Sequence, residues 1–509
     1  MLKLKIVLLV LLVGVFFDKT LAADKSSIAE TAQHESHCGE FEKAIKDYTA
    51  ALTANPQNAS LLAKRAYAYS CVGNFKQAFA DYDNAIKYDS KCADIYSYRT
   101  VAYSWLGLKN LSSKDAKKAL ELYTDKSADL YSLSEHARLL SQNENYTESS
   151  REFKQILEQL RGANDLASLI LAARSSYGLK QYDETIKYCE QGLKLSPKSI
   201  WLKTIRGSAY GAKNRWTLAL NDLNYCIAND KTDTLKFARR GYCYCELNEV
   251  QKAIADFDQA IKLEPRNAFA LTWRANALHD LSENKKAIAD FDAVLKLNPT
   301  DEYVYNHRAD NYCHLKEWQK ALEDTQKAIS IDPNYAEAYV TQGWIEHNLN
   351  HFSQEIKCYN KAISADPKNE RAYFNRGMAY REHKDYRKAI DDLTMAIKLN
   401  PNNEIYFCAR GSAFVSDFKY EHAINDCNKS LKLNSRRTHP HFSRGIAYAQ
   451  LGDYKSALAD FDEAIRMYPN YGEAYYERAQ IYKKLKMKDQ GKEDFAKAEK
   501  FGHKKPEAM

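Results

Sequence analysis

Five prolines, Pro265, Pro299, Pro333, Pro367 and Pro401, follow one another at intervals of 34 residues. Four of them close variants of one phrase: AIADFDQAIKLEP, AIADFDAVLKLNP, ALEDTQKAISIDP and, at Pro401, AIDDLTMAIKLNP. The phrase returns as ALADFDEAIRMYP ending at Pro469, two periods further on. A fixed period of this length means an array of one supersecondary unit, each copy packing on its neighbours. That overrides the usual inference of several independent domains from a length of 509 residues. With the proline at position 32, fourteen units begin at Lys25, Ala59, Ala93, Leu130, Leu166, Ile200, Thr234, Ala268, Glu302, Ala336, Glu370, Glu404, Thr438 and Gly472. Insertions at Ser127 to Asp129 and Asn164 to Asp165 shift the register. The array spans 25–505 and leaves 506–509 as a tail.

Each unit reads as two helices. In the unit from Glu370, Ala372, Tyr373, Arg376, Gly377 and Tyr380 recur at helical spacing. Lys384-Asp385-Tyr386 makes a turn, and Ala389, Leu393, Ala396 and Ile397 form a second stripe that Pro401 ends. Position 8 holds Gly207, Gly241, Gly343, Gly377, Gly411 or Gly445, and elsewhere mostly Ala. Glycine within a helix costs about 1 kcal/mol, so its recurrence in one register implies close packing of the two helices.

The pattern resembles the tetratricopeptide repeat family. The residues that carry the resemblance are, in the unit from Thr234, Gly241, Tyr244, Ala253, Phe257, Ala260 and Pro265. It weakens in the units from Leu130 and Leu166, where Arg161 replaces the proline and Gly192 an alanine. The resemblance implies an all-α solenoid: a right-handed superhelix of about fourteen helix-turn-helix units, forming a coil of more than one turn. Its first helices would line a concave groove through positions 2, 5, 9, 12 and 13.

Position 7 is usually Arg and position 23 usually Asp, as in Arg240/Asp256, Arg274/Asp290, Arg376/Asp392 and Arg444/Asp460. Where Arg is lost, Asp is usually lost too, as in His136/Glu152, Ala172/Tyr188 and Gln342/Cys358. The expectation is a structural ion pair within each unit, because losing one partner would strand a buried charge. The competing reading is a row of arginines for an acidic ligand.

The groove slots of the units from Ala268 to Glu370 combine aromatics with adaptable hydrogen-bonding groups. The candidate partner contacts are Phe269, His279, Tyr303, Asn306, His314, Trp344, His347, Phe374 and Arg381. Such a mixture suits a protein or peptide, since rings supply contact area and polar groups satisfy its backbone. A metal is not expected: the three histidines lie on different units, and stacked helices are about 9 Å apart. The family's clamp for chaperone tails pairs Lys at position 5 with Asn at position 9. Here Thr272 precedes Asn276, and no unit has both.

No nucleophile elbow, phosphate loop or zinc motif occurs, and no cofactor is expected. Net charge is +7, without a basic block that would argue for nucleic acid. The eleven cysteines include no CxxC pair. Cys189, Cys226 and Cys427 occupy core slots, which reads as free buried thiols. Lys3 and Lys5, the apolar run from Ile6 to Phe17 and Thr20-Leu21-Ala22 read as a signal peptide over 1–22. An uncleaved anchor is the alternative, but the run is short for a membrane span. Sequons occur at Asn58, Asn110, Asn145 and Asn428; Asn110 and Asn145 fall in inter-helix turns open to glycans. The leading expectation is a non-enzymatic scaffold or adaptor outside the cytoplasm, whether secreted, luminal or periplasmic. The alternatives are a chaperone-like holder of unfolded chains, and an enzyme or its carbohydrate-binding partner.

Overall fold

The computed structural model describes residues 27–123 and 129–503. The expected signal peptide at 1–22, the tail at 506–509 and part of the first insertion lie outside the described residues. The described residues form 28 helices and no strand, paired as helix-turn-helix units in an all-α solenoid. First helices start at Ala59, Ala93, Leu130, Leu166 and Ile200, and onward to Gly472. The described residues divide after Val304 into two compact bodies.

The unit from Thr234 shows why the pattern folds this way. Asp233 caps the first helix, Thr234–Glu246, by accepting from the Leu235 amide. Asn248 then turns the chain in the left-handed conformation at φ 60°. The second helix, Val250–Leu263, buries Ala253, Phe257 and Ala260 completely, and Pro265 stands just beyond its end. Full burial of a ring such as Phe257 contributes about 2–3 kcal/mol.

Arg240 forms a two-pronged ion pair with Asp256, Nε and Nη2 each donating over 2.7 Å. Arg274 with Asp290, Arg376 with Asp392 and Arg444 with Asp460 do the same. In the unit from Leu130, His136 and Glu152 make a substitute pair at 2.9 Å. The arginines also reach back. Arg240 Nη1 donates to Asn224 at 2.8 Å and Arg274 Nη1 to Asp258 at 2.6 Å, each on the second helix of the preceding unit. One guanidinium therefore ties three helices, and the position-25 acceptor is a link that the pairing of positions 7 and 23 does not reveal.

Close packing accounts for some of the glycines at position 8 and not for others. A Cβ on Gly241 or Gly343 would fall 2.7 Å from Phe257 or 2.5 Å from Tyr359. On Gly207 it would meet nothing closer than 3.5 Å. The register is glycine-rich, but only some of its glycines are sterically required.

The amino-terminal body coils back on itself. The turn of the first unit meets the start of the sixth, that of the second meets the seventh, and that of the third meets the eighth. At each seam the turn residue is a left-handed glycine: Gly39, Gly73 and Gly107. A Cβ there would lie 2.9 Å from Trp201 Cβ, 2.7 Å from Asp233 Cα and 2.8 Å from the Phe269 nitrogen, respectively. Most later units place a side chain at the same left-handed position, among them Asn214, Asn248, Ser282 and Lys384. The seam is bonded as well as packed. Phe269 N donates to Leu106 O at 3.1 Å, Asn110 Nδ2 donates to Asn298 Oδ1 at 2.6 Å, and Arg266 lies 5.0 Å from the Phe79 ring centroid.

Candidate functional site

The expected contact residues fall on both bodies. In the carboxy-terminal body, Trp344 is 38% exposed and meets Trp318 edge to face at 5.7 Å. One turn on, His347 stands between two carboxylates, 3.2 Å from Glu355 and 3.7 Å from Glu382. Glu355 occupies the slot that holds Ala253, Ala287, Ala321 and Ala389 in other units, and it is buried. Burial pushes its carboxyl above the ordinary range, against the pull of His347. Phe374, half-buried, lies 5.0 Å from Tyr406, and Arg381 is half-buried at the end of its helix, Glu370–Glu382. His314 is exposed at the end of Glu302–His314. Asn306 is buried at 6% exposure, so it presents no polar edge to a groove.

In the amino-terminal body, Tyr303 accepts from Asn276 Nδ2 at 3.0 Å, and His279 is half-buried in the last turn of Ala268–Asp280. Phe269, half-buried, also has a structural role. Its backbone is bonded to Leu106, and its ring packs beside Tyr242 and Trp273. Its backbone, not its ring, makes the contact between successive turns of the coil. Asn110 is corrected: its amide nitrogen, the atom a glycan would need, is engaged with Asn298 and Thr300.

The groove positions of the amino-terminal body, outside the units from Ala268 to Glu370, line a cavity of their own. A cavity of about 350 Å³ lies among the first helices of units two to seven. Its apolar wall includes Tyr67, Trp105, Phe153 and Trp201, and its charged groups are Arg138, Arg174 and Arg239. Most of these occupy slots 2, 9 and 13, as the repeat register requires of groove residues. The sequence signal was present in the aromatic and basic residues at those slots, together with three successive turn glycines.

The eleven cysteines form no disulfide, and seven of them are buried. Burial pushes the Cys243 thiol up to about 11 and Cys189 to about 12, which leaves them inert at neutral pH. Among the described residues no group of three His, Cys, Asp or Glu side chains could hold a metal ion, and no helix is long and apolar enough to cross a membrane.

Two family models described as tetratricopeptide repeat match four units, one at 370–403 and 440–471, the other at 336–369 and 472–501. A third, described as the ETO1 C-terminal domain, matches 207–348. Nothing among curated proteins matches. Solved structures are similar at low identity. The Cut9–Hcn1 hetero-tetramer of the APC/C is 15% identical over 83% of this chain and 96% of that one, with a TM-score of 0.42. A tetratricopeptide repeat protein from Parabacteroides merdae is 18% identical over 52% and 98%, with a TM-score of 0.39. YrrB, described as a TPR protein with an unusual peptide-binding site, is 21% identical over 36% and 95%, with a TM-score of 0.32. The matched models identify the units at 336–403 and 440–501 as tetratricopeptide repeats, and the other helix pairs keep the same register.

Proposed function

We propose that this chain is a scaffold or adaptor that binds protein or peptide partners along the inner faces of its first helices and works outside the cytoplasm. Tetratricopeptide repeats are a protein-interaction scaffold. The observation that carries the finer reading is the carboxy-terminal face. There an exposed Trp344 and a carboxylate-flanked His347 share one first helix, and the Phe374–Tyr406 pair joins the next two. An aromatic anchor beside adaptable polar groups is the usual composition of an interface centre. The placement outside the cytoplasm rests on the basic, apolar and small-residue order of residues 3 to 22.

The test is affinity capture by the mature chain from its own compartment. It is run beside the triple variant Trp344→Ala, His347→Ala, Phe374→Ala, with circular dichroism confirming the fold. Capture of one or two proteins that vanish with the variant supports the reading. The same proteins persisting with the variant would place binding elsewhere. Broad, salt-insensitive binding of unfolded chains would favour a holder over an adaptor.

A further inference from the structure

We infer that the cavity of the amino-terminal body is a binding site for an amphipathic carboxylate: an acidic group carried on an aromatic or branched apolar body. Three arginines line the cavity and no carboxylate does. Behind the wall, Glu135 is shared by two of them, accepting from Arg138 Nε at 2.9 Å and from Arg174 Nη2 at 2.6 Å. Burial pushes the Glu135 carboxyl up, but the two guanidiniums outweigh it and hold it below its usual range. Glu135 thus serves two arginines at once, while the carboxylate within electrostatic reach of Arg239, Asp233, is already paired with Lys236. The two-pronged arginines of the repeat each have an aspartate of their own, so this sharing is an exception within the chain.

The donors are also unspent. Arg138 places Nη2 on the Ser97 carbonyl at 2.8 Å, yet its Nη1 is buried with no partner. Arg239 makes no ion pair or hydrogen bond among the described residues, although it is half-buried at the wall. Buried donors are almost always satisfied, and an uncompensated cation away from water is costly. A carboxylate in the cavity supplies the partner that Arg239 lacks, because its two oxygens match the planar fork of a guanidinium. The rest of the wall sets the remainder of the ligand. Trp105, Phe153, Trp201 and Ile205 offer ring faces and branched carbons, and the volume is that of a small-molecule pocket, about 300–1,000 Å³.

The experiment uses the full mature chain and isothermal titration calorimetry with 2-naphthoate, against uncharged 2-naphthamide of the same shape. One site per chain is expected, with naphthoate at least tenfold tighter than the amide. Arg239→Gln should weaken naphthoate at least tenfold, and Arg239→Lys should restore most of the loss. Because Arg239 has no partner to strand, the variant keeps its fold, which circular dichroism checks. An acetylated tripeptide ending in a free tryptophan carboxylate distinguishes the source. If it binds tighter than naphthoate, the ligand is a chain terminus; if weaker, a free acid. Equal binding of acid and amide by the unaltered chain, no binding of either acid, or an unchanged affinity in Arg239→Gln overturns the inference.

Discussion

The three turn glycines allow the coil of the amino-terminal body to be tested by a single substitution. Gly107→Asn keeps a residue that tolerates the left-handed conformation, as Asn214, Asn248 and Asn350 do at the same turn position. Backbone strain is therefore small, and the new Cβ is the main change. That atom would sit 2.8 Å from the Phe269 nitrogen and 3.2 Å from its Cα, against a normal separation of about 3.5–4.0 Å. Both neighbours are backbone, so relief requires the turn and the helix start to part. The Phe269 amide is one of the first-turn donors that a helix cannot satisfy internally, and its bond to Leu106 would be lost. That loss costs about 1 kcal/mol, and an orphaned donor together with loosened ring packing adds about 1–2 more. Gly162→Asn is the control within the same body, since it is also left-handed at φ 85° with nothing within 4 Å. The expected result is about 2–3 kcal/mol for Gly107→Asn and under about 0.5 kcal/mol for Gly162→Asn by urea unfolding. Hydrogen exchange supplies the local readout: the Phe269 amide should be protected in the parent chain and lose protection in Gly107→Asn. Equal costs for the two variants, with Phe269 still protected, would refute the docked seam.

Other outcomes follow from the same geometry. Asp392→Asn strands the Arg376 guanidinium, which is 19% exposed, and should cost about 2–3 kcal/mol in denaturant unfolding. The double variant Arg376→Met, Asp392→Leu should recover part of that loss. Gly207→Ala, whose added carbon has ordinary room, should be neutral or stabilise by up to about 1 kcal/mol, seen as a raised Tm. His37, stacked on Tyr131 at 3.5 Å, is held neutral by burial and by Arg174 down to about 4. A histidine with a lowered folded pKa binds fewer protons folded than unfolded. Its stabilisation is whole above about pH 6.5 and falls as the pH drops toward 4, by roughly 3 kcal/mol at most. His37→Phe should flatten that part of the stability-pH curve, and an unchanged slope would dismiss the assignment.

Much of the fold could be read from spacing alone, because the repeat states its own register many times over. A helix start such as Ala268 or Glu370 follows from the proline three residues before it, Pro265 or Pro367, without any three-dimensional information. The Arg–Asp pairs were legible for the same reason: three of the four units that lack the arginine also lack the aspartate. The site was harder to read. Phe269 and Trp344 occupy the same kind of slot, yet one is bonded through its backbone across a seam and the other is exposed. What separates them is how far the coil turns per unit, a sum of small rotations that no single unit encodes. The one local trace of that sum is glycine at turns where asparagine or lysine would otherwise serve. Glu355 was visible as an oddity in an alanine column, but its approach to His347 depends on the packing of the two helices.

An open solenoid can gain or lose a unit almost anywhere, because each copy knows only its neighbours. The seam between units one to three and six to eight removes that freedom from the amino-terminal body. Duplicating or deleting one unit between them would bring Gly107 opposite a residue other than Phe269, and the glycines would face the wrong partners together. The number of copies in this stretch is thus held by geometry as firmly as any core residue. Length variation among related chains, and any engineered lengthening, should therefore be confined to the part of the array beyond the eighth unit.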